Sequence, residues 1–122
     1  MRTIFIYIAV LFFSFSFSQK KELRQIKRLI DEKFFQEAES TLKSNKDFLL
    51  SGDSKTDAQY YYYATKIYTE IKSFKLAKNS LEELMSINPS YYNAEMKLDY
   101  KNLEEILVVA LVNAAVADNS SK

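Results

Sequence analysis

Residues 58–91 read AQYYYYATKIYTEIKSFKLAKNSLEELMSINPSY, and the fold turns on how that stretch is read. Tyr61, Ala64, Tyr68 and Ile71 fall at steps of three, four and three, which places them along one face of a helix. Four consecutive tyrosines would suit a strand, since aromatics favour strands. The helical period nevertheless runs through them to Ile71, with no alternation of apolar and polar residues. Asp57, with Thr56 before it, is a natural N-cap, so the spacing predicts a helix over 58–71. Phe74, Ala77, Leu81 and Leu84 repeat the same steps, with Lys78, Glu82 and Glu83 on the opposite side. That second helix should end at Asn88-Pro89, because the residue before a proline is pushed out of the α region. Lys72-Ser73 leaves room only for a tight turn, so the two helices are expected to lie antiparallel. The small Ala64 and Ala77 would let their backbones approach closely.

These positions resemble a tetratricopeptide repeat (TPR), a helix–turn–helix unit of about 34 residues. With Pro89 set at the family's late proline, Tyr61 takes the first large aromatic slot and Ala64 and Thr65 the leucine and small-residue slots. Tyr68 fills the second aromatic slot, Phe74 the turn aromatic, Ala77 the small residue and Leu81 the large apolar one. The sequence departs from the pattern at Ala64, which is smaller than usual, at Leu84, where a small residue is expected, and at the turn, which lacks Gly-Asp or Gly-Asn. An ordinary helical hairpin would give the same helices and the same core.

A fainter copy precedes this stretch. Leu23, Ile26 and Ile30, with Leu29 alongside, form one helical face, and Phe35, Ala38 and Leu42 the next. FFQEA at 34–38 parallels SFKLA at 73–77, each alanine being followed four residues later by Leu42 or Leu81. The longer period of this copy is absorbed by the connection 46–57, whose Ser51-Gly52-Asp53-Ser54 reads as a loop. Phe48, Leu49 and Leu50 are expected to fold back over the hairpin end.

Beyond Pro89, Ser90 can cap a further helix carrying Tyr91, Ala94, Met96 and Leu98. A break is expected near Asp99–Lys101, although one continuous helix from Tyr91 to about Ala117 is the alternative. The run 106–117 is apolar except for Asn113. As a helix it would be about 18 Å long, short of the roughly 30 Å hydrocarbon core of a membrane. A helix apolar all round needs cover on more than one side. Phe48–Leu50 and the second hairpin, a second copy of the chain through Ile106–Ala117, or a further repeat could each supply it.

The 122 residues allow one domain, and 48% hydrophobic with 27% charged residues is ordinary for a folded globule. The absence of cysteine excludes disulfides and thiolate chemistry, and the absence of histidine removes the commonest acid–base group and metal ligand. A net charge of +1 does not steer the chain toward nucleic acid. MRTIFIYIAVLFFSFSFS at 1–18 has the form of a secretory signal peptide: Arg2, an apolar run, and Ser16 and Ser18 before a cut at Gln19. The expected mature chain, 19–122, is exported to the periplasm or beyond if the source is bacterial. An uncleaved membrane anchor is the alternative, and membrane contact stays open.

No catalytic constellation emerges. The only glycine is Gly52, so there is no phosphate-cradling loop, and Glu82-Glu83 and Glu104-Glu105 are helix neighbours that point apart. Asp47, Asp53 and Asp57 miss the spacing of a calcium loop. We expect no cofactor and no metal. The resemblance implies an all-α fold of antiparallel hairpins stacked as a short TPR-like solenoid, about two repeats (20–50 and 58–90) plus a C-terminal helical cap (91–117). It further implies a non-catalytic module for a protein or peptide ligand, held on the concave face by Gln59, Tyr62, Lys66, Thr69 and Glu70 in one repeat and Asn93 and Met96 in the next. Tyr61 and Tyr68 are assigned to packing. The family's clamp for C-terminal carboxylates needs lysine at Tyr62 and asparagine at Lys66, which disfavours that function. The chain also resembles the front of exported bacterial TPR proteins, some of which continue into a membrane span and a signalling domain.

Overall fold

In the computed structural model, residues 18–50 and 52–120 are described, with side chains through Val116. The expected signal peptide lies outside them except for Ser18. The described chain is all-α. Helix α1 covers residues 18–31, α2 Phe35–Ser44, α3 Lys46–Leu49, α4 Ser54–Glu70, α5 Phe74–Met85 and α6 Ala94–Ser120, with a 3-10 turn at Pro89–Tyr91.

The two hairpin turns are built alike. After α1, Phe34 N–H donates to Leu29 C=O at 2.8 Å and Lys33 N–H to Ile30 C=O at 3.0 Å. After α4, Ser73 N–H donates to Tyr68 C=O at 2.8 Å and Lys72 N–H to Thr69 C=O at 3.2 Å. This crossed pair satisfies helix-end carbonyls and requires a left-handed residue, which is Lys33 in one turn and Lys72 in the other, both at φ +65°. Each following helix then starts with the same bond, Ala38 N–H to Phe34 C=O and Ala77 N–H to Ser73 C=O, both 2.9 Å. Ala38 and Ala77 are fully buried at the hairpin crossings, with Leu42 and Leu81 a turn later.

α4 is the centre of the packing. It lies against α2, α3, α5 and α6, and its buried residues occupy nearly its whole circumference. The single face read from the sequence is therefore too narrow: Tyr60, Tyr62 and Tyr63 are buried, while Tyr61 is half-buried. α4 also begins earlier than expected. Asp53 sits at its N-cap and accepts a hydrogen bond from Thr56 Oγ1 at 2.7 Å. Asp57, the expected cap, lies inside the first turn with Oδ1 buried and without a hydrogen-bond partner. Burial, and then the charge of Asp53, raise its pKa. The expected loop 46–57 thus contains a one-turn helix and the start of α4. Leu49 of that turn is fully buried, and Phe48 C=O accepts from Gln19 Nε2 at 2.8 Å, tying α3 to α1.

The C-terminal region corrects the sequence reading twice. Ser90 caps no helix; it lies in the 3-10 turn, where its N–H donates to Asn88 Oδ1 at 3.0 Å. Asn93 caps α6 instead, accepting from Met96 N–H at 2.9 Å. The expected break at 99–101 is absent, and α6 is one helix. The turn-forming Asp99 is occupied across the helix interface rather than with its own backbone, since its Oδ2 accepts from Tyr62 Oη at 2.7 Å. Tyr100 packs edge-on to Tyr92 with ring centroids 5.8 Å apart. Met96, Leu103 and Leu107 face the body, but Ile106, Val108, Val109, Val112 and Val116 are all more than half exposed. Neither 48–50 nor the second hairpin covers them.

Candidate functional site

A groove runs between α1, α4 and α6, and a bridge of charged side chains crosses its middle. Lys66 of α4 is the hub. Its Nζ lies 3.9 Å from Glu95 Oε1 and 3.7 Å from Asp99 Oδ2, both on α6. The other oxygen of Glu95 is 3.6 Å from Lys27 Nζ on α1. Lys66 also donates to Tyr62 Oη at 3.4 Å and lies over the Tyr62 ring, 5.0 Å from its centre. Three helices separated in sequence are thus joined through four charges and one phenol. Glu95 and Asp99 are one helical turn apart, so both carboxylates face the same ammonium. The pairs are partly exposed, so each contributes orientation more than stability. Tyr62 is different. It is 1% exposed, and burial together with the bond to Asp99 pushes its pKa far above the usual phenol range.

The bridge divides the groove into two clefts. The upper cleft, about 490 Å³, carries Lys20, Arg24 and Lys27 on α1 facing Lys55, Gln59 and Tyr63 on α4. Among the described residues Asp53 is the one carboxylate on its wall. The lower cleft, about 250 Å³, has Ile30, Phe35, Leu103 and Ile106 as its apolar surface. Its polar rim is Lys66, Thr69 and Glu70 on α4, with Asp31 at the end of α1 and Lys33 in the first turn. A cleft of this size and mixed charge suits one or two amphipathic side chains of a peptide.

The seven residues singled out on the sequence are therefore not one surface. Lys66, Thr69 and Glu70 meet at the lower cleft, and Gln59 lies in the upper one. Tyr62 and Met96 are core residues, 1% and 0% exposed. Asn93 is exposed, with its side-chain carbonyl engaged at the α6 cap. The Thr69 hydroxyl donates to Thr65 C=O at 2.7 Å, which leaves its oxygen to accept. The sequence reading missed Lys27, Glu95 and Asp99. The signal for two of them was present: Glu95 and Asp99 share a helical face only if α6 runs through the supposed break.

Among the described residues no group of three or more His, Cys, Asp or Glu side chains is placed to hold a metal ion. No described helix is long and apolar enough to cross a membrane. No family model, curated protein or solved structure matches the chain.

Proposed function

We propose that this chain is a non-catalytic protein–protein interaction module, a short TPR-like scaffold that binds an extended peptide segment of a partner along the α1–α4–α6 groove. One observation carries the reading. The two hairpins repeat bond for bond at their turns, α6 packs on α4, and α1 and α4 face each other across the clefts, leaving a groove lined by these three helices. In that arrangement Lys66, Thr69 and Glu70 form the rim of the lower cleft, and its apolar floor receives a side chain of the ligand. Residues 1–18 support export across the inner membrane to the periplasm or beyond, and a mature N-terminus at Gln19 in mass spectrometry would establish it.

The test is site-specific photocrosslinking. A photoreactive residue at Thr69 should give a discrete adduct with a partner from the exported fraction, and one at Glu82, exposed on α5, should not. Lys66→Glu should remove the adduct. Equal labelling at both positions would sink the reading.

A second reading draws on the exposed Ile106, Val108, Val109, Val112 and Val116. It is a small membrane-associated helical protein that touches lipid through α6. Co-sedimentation with neutral vesicles, lost in Val109→Asp, would favour it over the scaffold.

A further inference from the structure

The far half of α6 is covered by the body of the molecule along one side only. Its inward seam ends in buried Leu103 and Leu107 and continues as the half-buried Ala110, Leu111 and Ala114. The outward side carries Val109, Val112 and Val116, spaced three and four residues apart, with Val108 flanking them. That spacing is the 3.5-residue repeat by which helices pack on one another. No charge interrupts it from Ile106 to Ala117. Beside its start lies an open trough of about 700 Å³ between α5 and α6, walled by Met85, Tyr100, Val108 and Val109 and rimmed by Lys101, Glu104 and Glu105. Met85, half exposed at the end of α5, faces the α6 residues across the trough.

The arm needs an apolar seat and the trough needs an apolar helix, and one chain carries both. We propose that the occupant is a second copy of this chain, its α6 antiparallel to the first about a two-fold axis near Val112. Every contact is then made twice, because a two-fold interface is self-complementary. The midpoint of the uncharged run falls beside Val112, and that position sets the axis. Val116 of each copy lies against Val108 and Val109 of the other and closes the trough toward Met85. Charge selects the direction. Parallel arms would bring Glu104 and Glu105 of both copies together, four carboxylates at one level. Antiparallel arms set the two Glu105 positions about 21 Å apart, seven residues on either side of the axis.

Light scattering on the full chain tests this. The mass should be that of two chains at high concentration and fall toward one on dilution. Val112→Asp should give one chain throughout, with the far-ultraviolet helical signal unchanged. The chain has no cysteine, so single cysteines report the geometry directly. Val112→Cys should oxidise to a covalent dimer and Glu105→Cys should not. A wild-type monomer at every concentration would overturn the proposal, as would association that persists in Val112→Asp. Equal crosslinking at both cysteines would overturn the antiparallel arrangement, and vesicle binding by a monomer would replace the second copy with lipid.

Discussion

Two helices, α4 and α6, reverse the order that composition suggests. α4 is built from tyrosine, threonine and alanine, and α6 from valine, leucine and alanine. Yet nine residues of α4 are buried, and among the described side chains of α6 only Met96, Leu103 and Leu107 are. The difference lies in what surrounds them. α4 has neighbours on nearly every side, and a tyrosine there can bury its ring while its hydroxyl finds a partner, as Tyr62 does with Asp99. α6 lies at the edge of the stack, so only one seam of it meets other helices. Burial in such a fold follows position in the packing order before it follows apolarity.

That contrast can be broken by substitution. The largest effect is expected in the centre of α4: Ile67→Ala, at a position with no exposure, should cost about 2–5 kcal/mol. Leu98→Ala, on α6 and 82% exposed, should stay within about 0.5 kcal/mol in denaturant melts. Comparable losses would mean that α6 is better covered than it looks. Alkaline titration probes the same tyrosines. Burial pushes Tyr60 and Tyr63 up to about 12, so the folded state holds these protons more tightly than the unfolded state, whose phenols ionise near pH 10. Their contribution is therefore complete below about pH 10 and lost between about 10 and 12, at most roughly 2–3 kcal/mol for each. Circular dichroism against pH would show helix loss in that window, and a chain that stayed folded through pH 12 would contradict it.

Smaller effects sharpen the comparison between the hairpins. Ala77→Phe should overpack the second crossing and cost about 1–3 kcal/mol, whereas Lys78→Phe, exposed and paired only with Glu82, should cost far less. Equal melting temperatures for the two would refute the register. The smallest change is a gain. Lys33 and Lys72 hold a left-handed conformation that glycine adopts without strain, so Lys33→Gly and Lys72→Gly should each stabilise by about 0.5–1 kcal/mol. A gain at one turn and a loss at the other would show that the turns are not equivalent.

The hairpins were legible because their signals are local. The steps from Phe74 to Leu84 and the paired motifs around Ala38 and Ala77 state the crossings outright. The full burial of α4 was not legible, since a periodic pattern marks one apolar face and cannot say how many neighbours a helix will have. The groove was legible only in part. Lys66, Thr69 and Glu70, singled out by the resemblance, line one cleft, while Tyr62 and Met96 lie in the core. The break assigned at Asp99 hid the rest. A residue that usually opens a turn was instead recruited by Tyr62 and Lys66, and no local pattern records a partner 37 positions away.

Lys66 belongs to two systems at once. It stands on the rim of the lower cleft, and it also pairs with Asp99 and, together with Lys27, with Glu95 where α6 meets α4. A ligand that draws this ammonium toward itself leaves two carboxylates a single turn apart with less to hold them. On the proposed function, occupancy of the cleft and the seating of α6 would be thermodynamically linked, and such linkage is reciprocal: whatever steadied α6 from its far end would change, by the same factor, how the cleft binds.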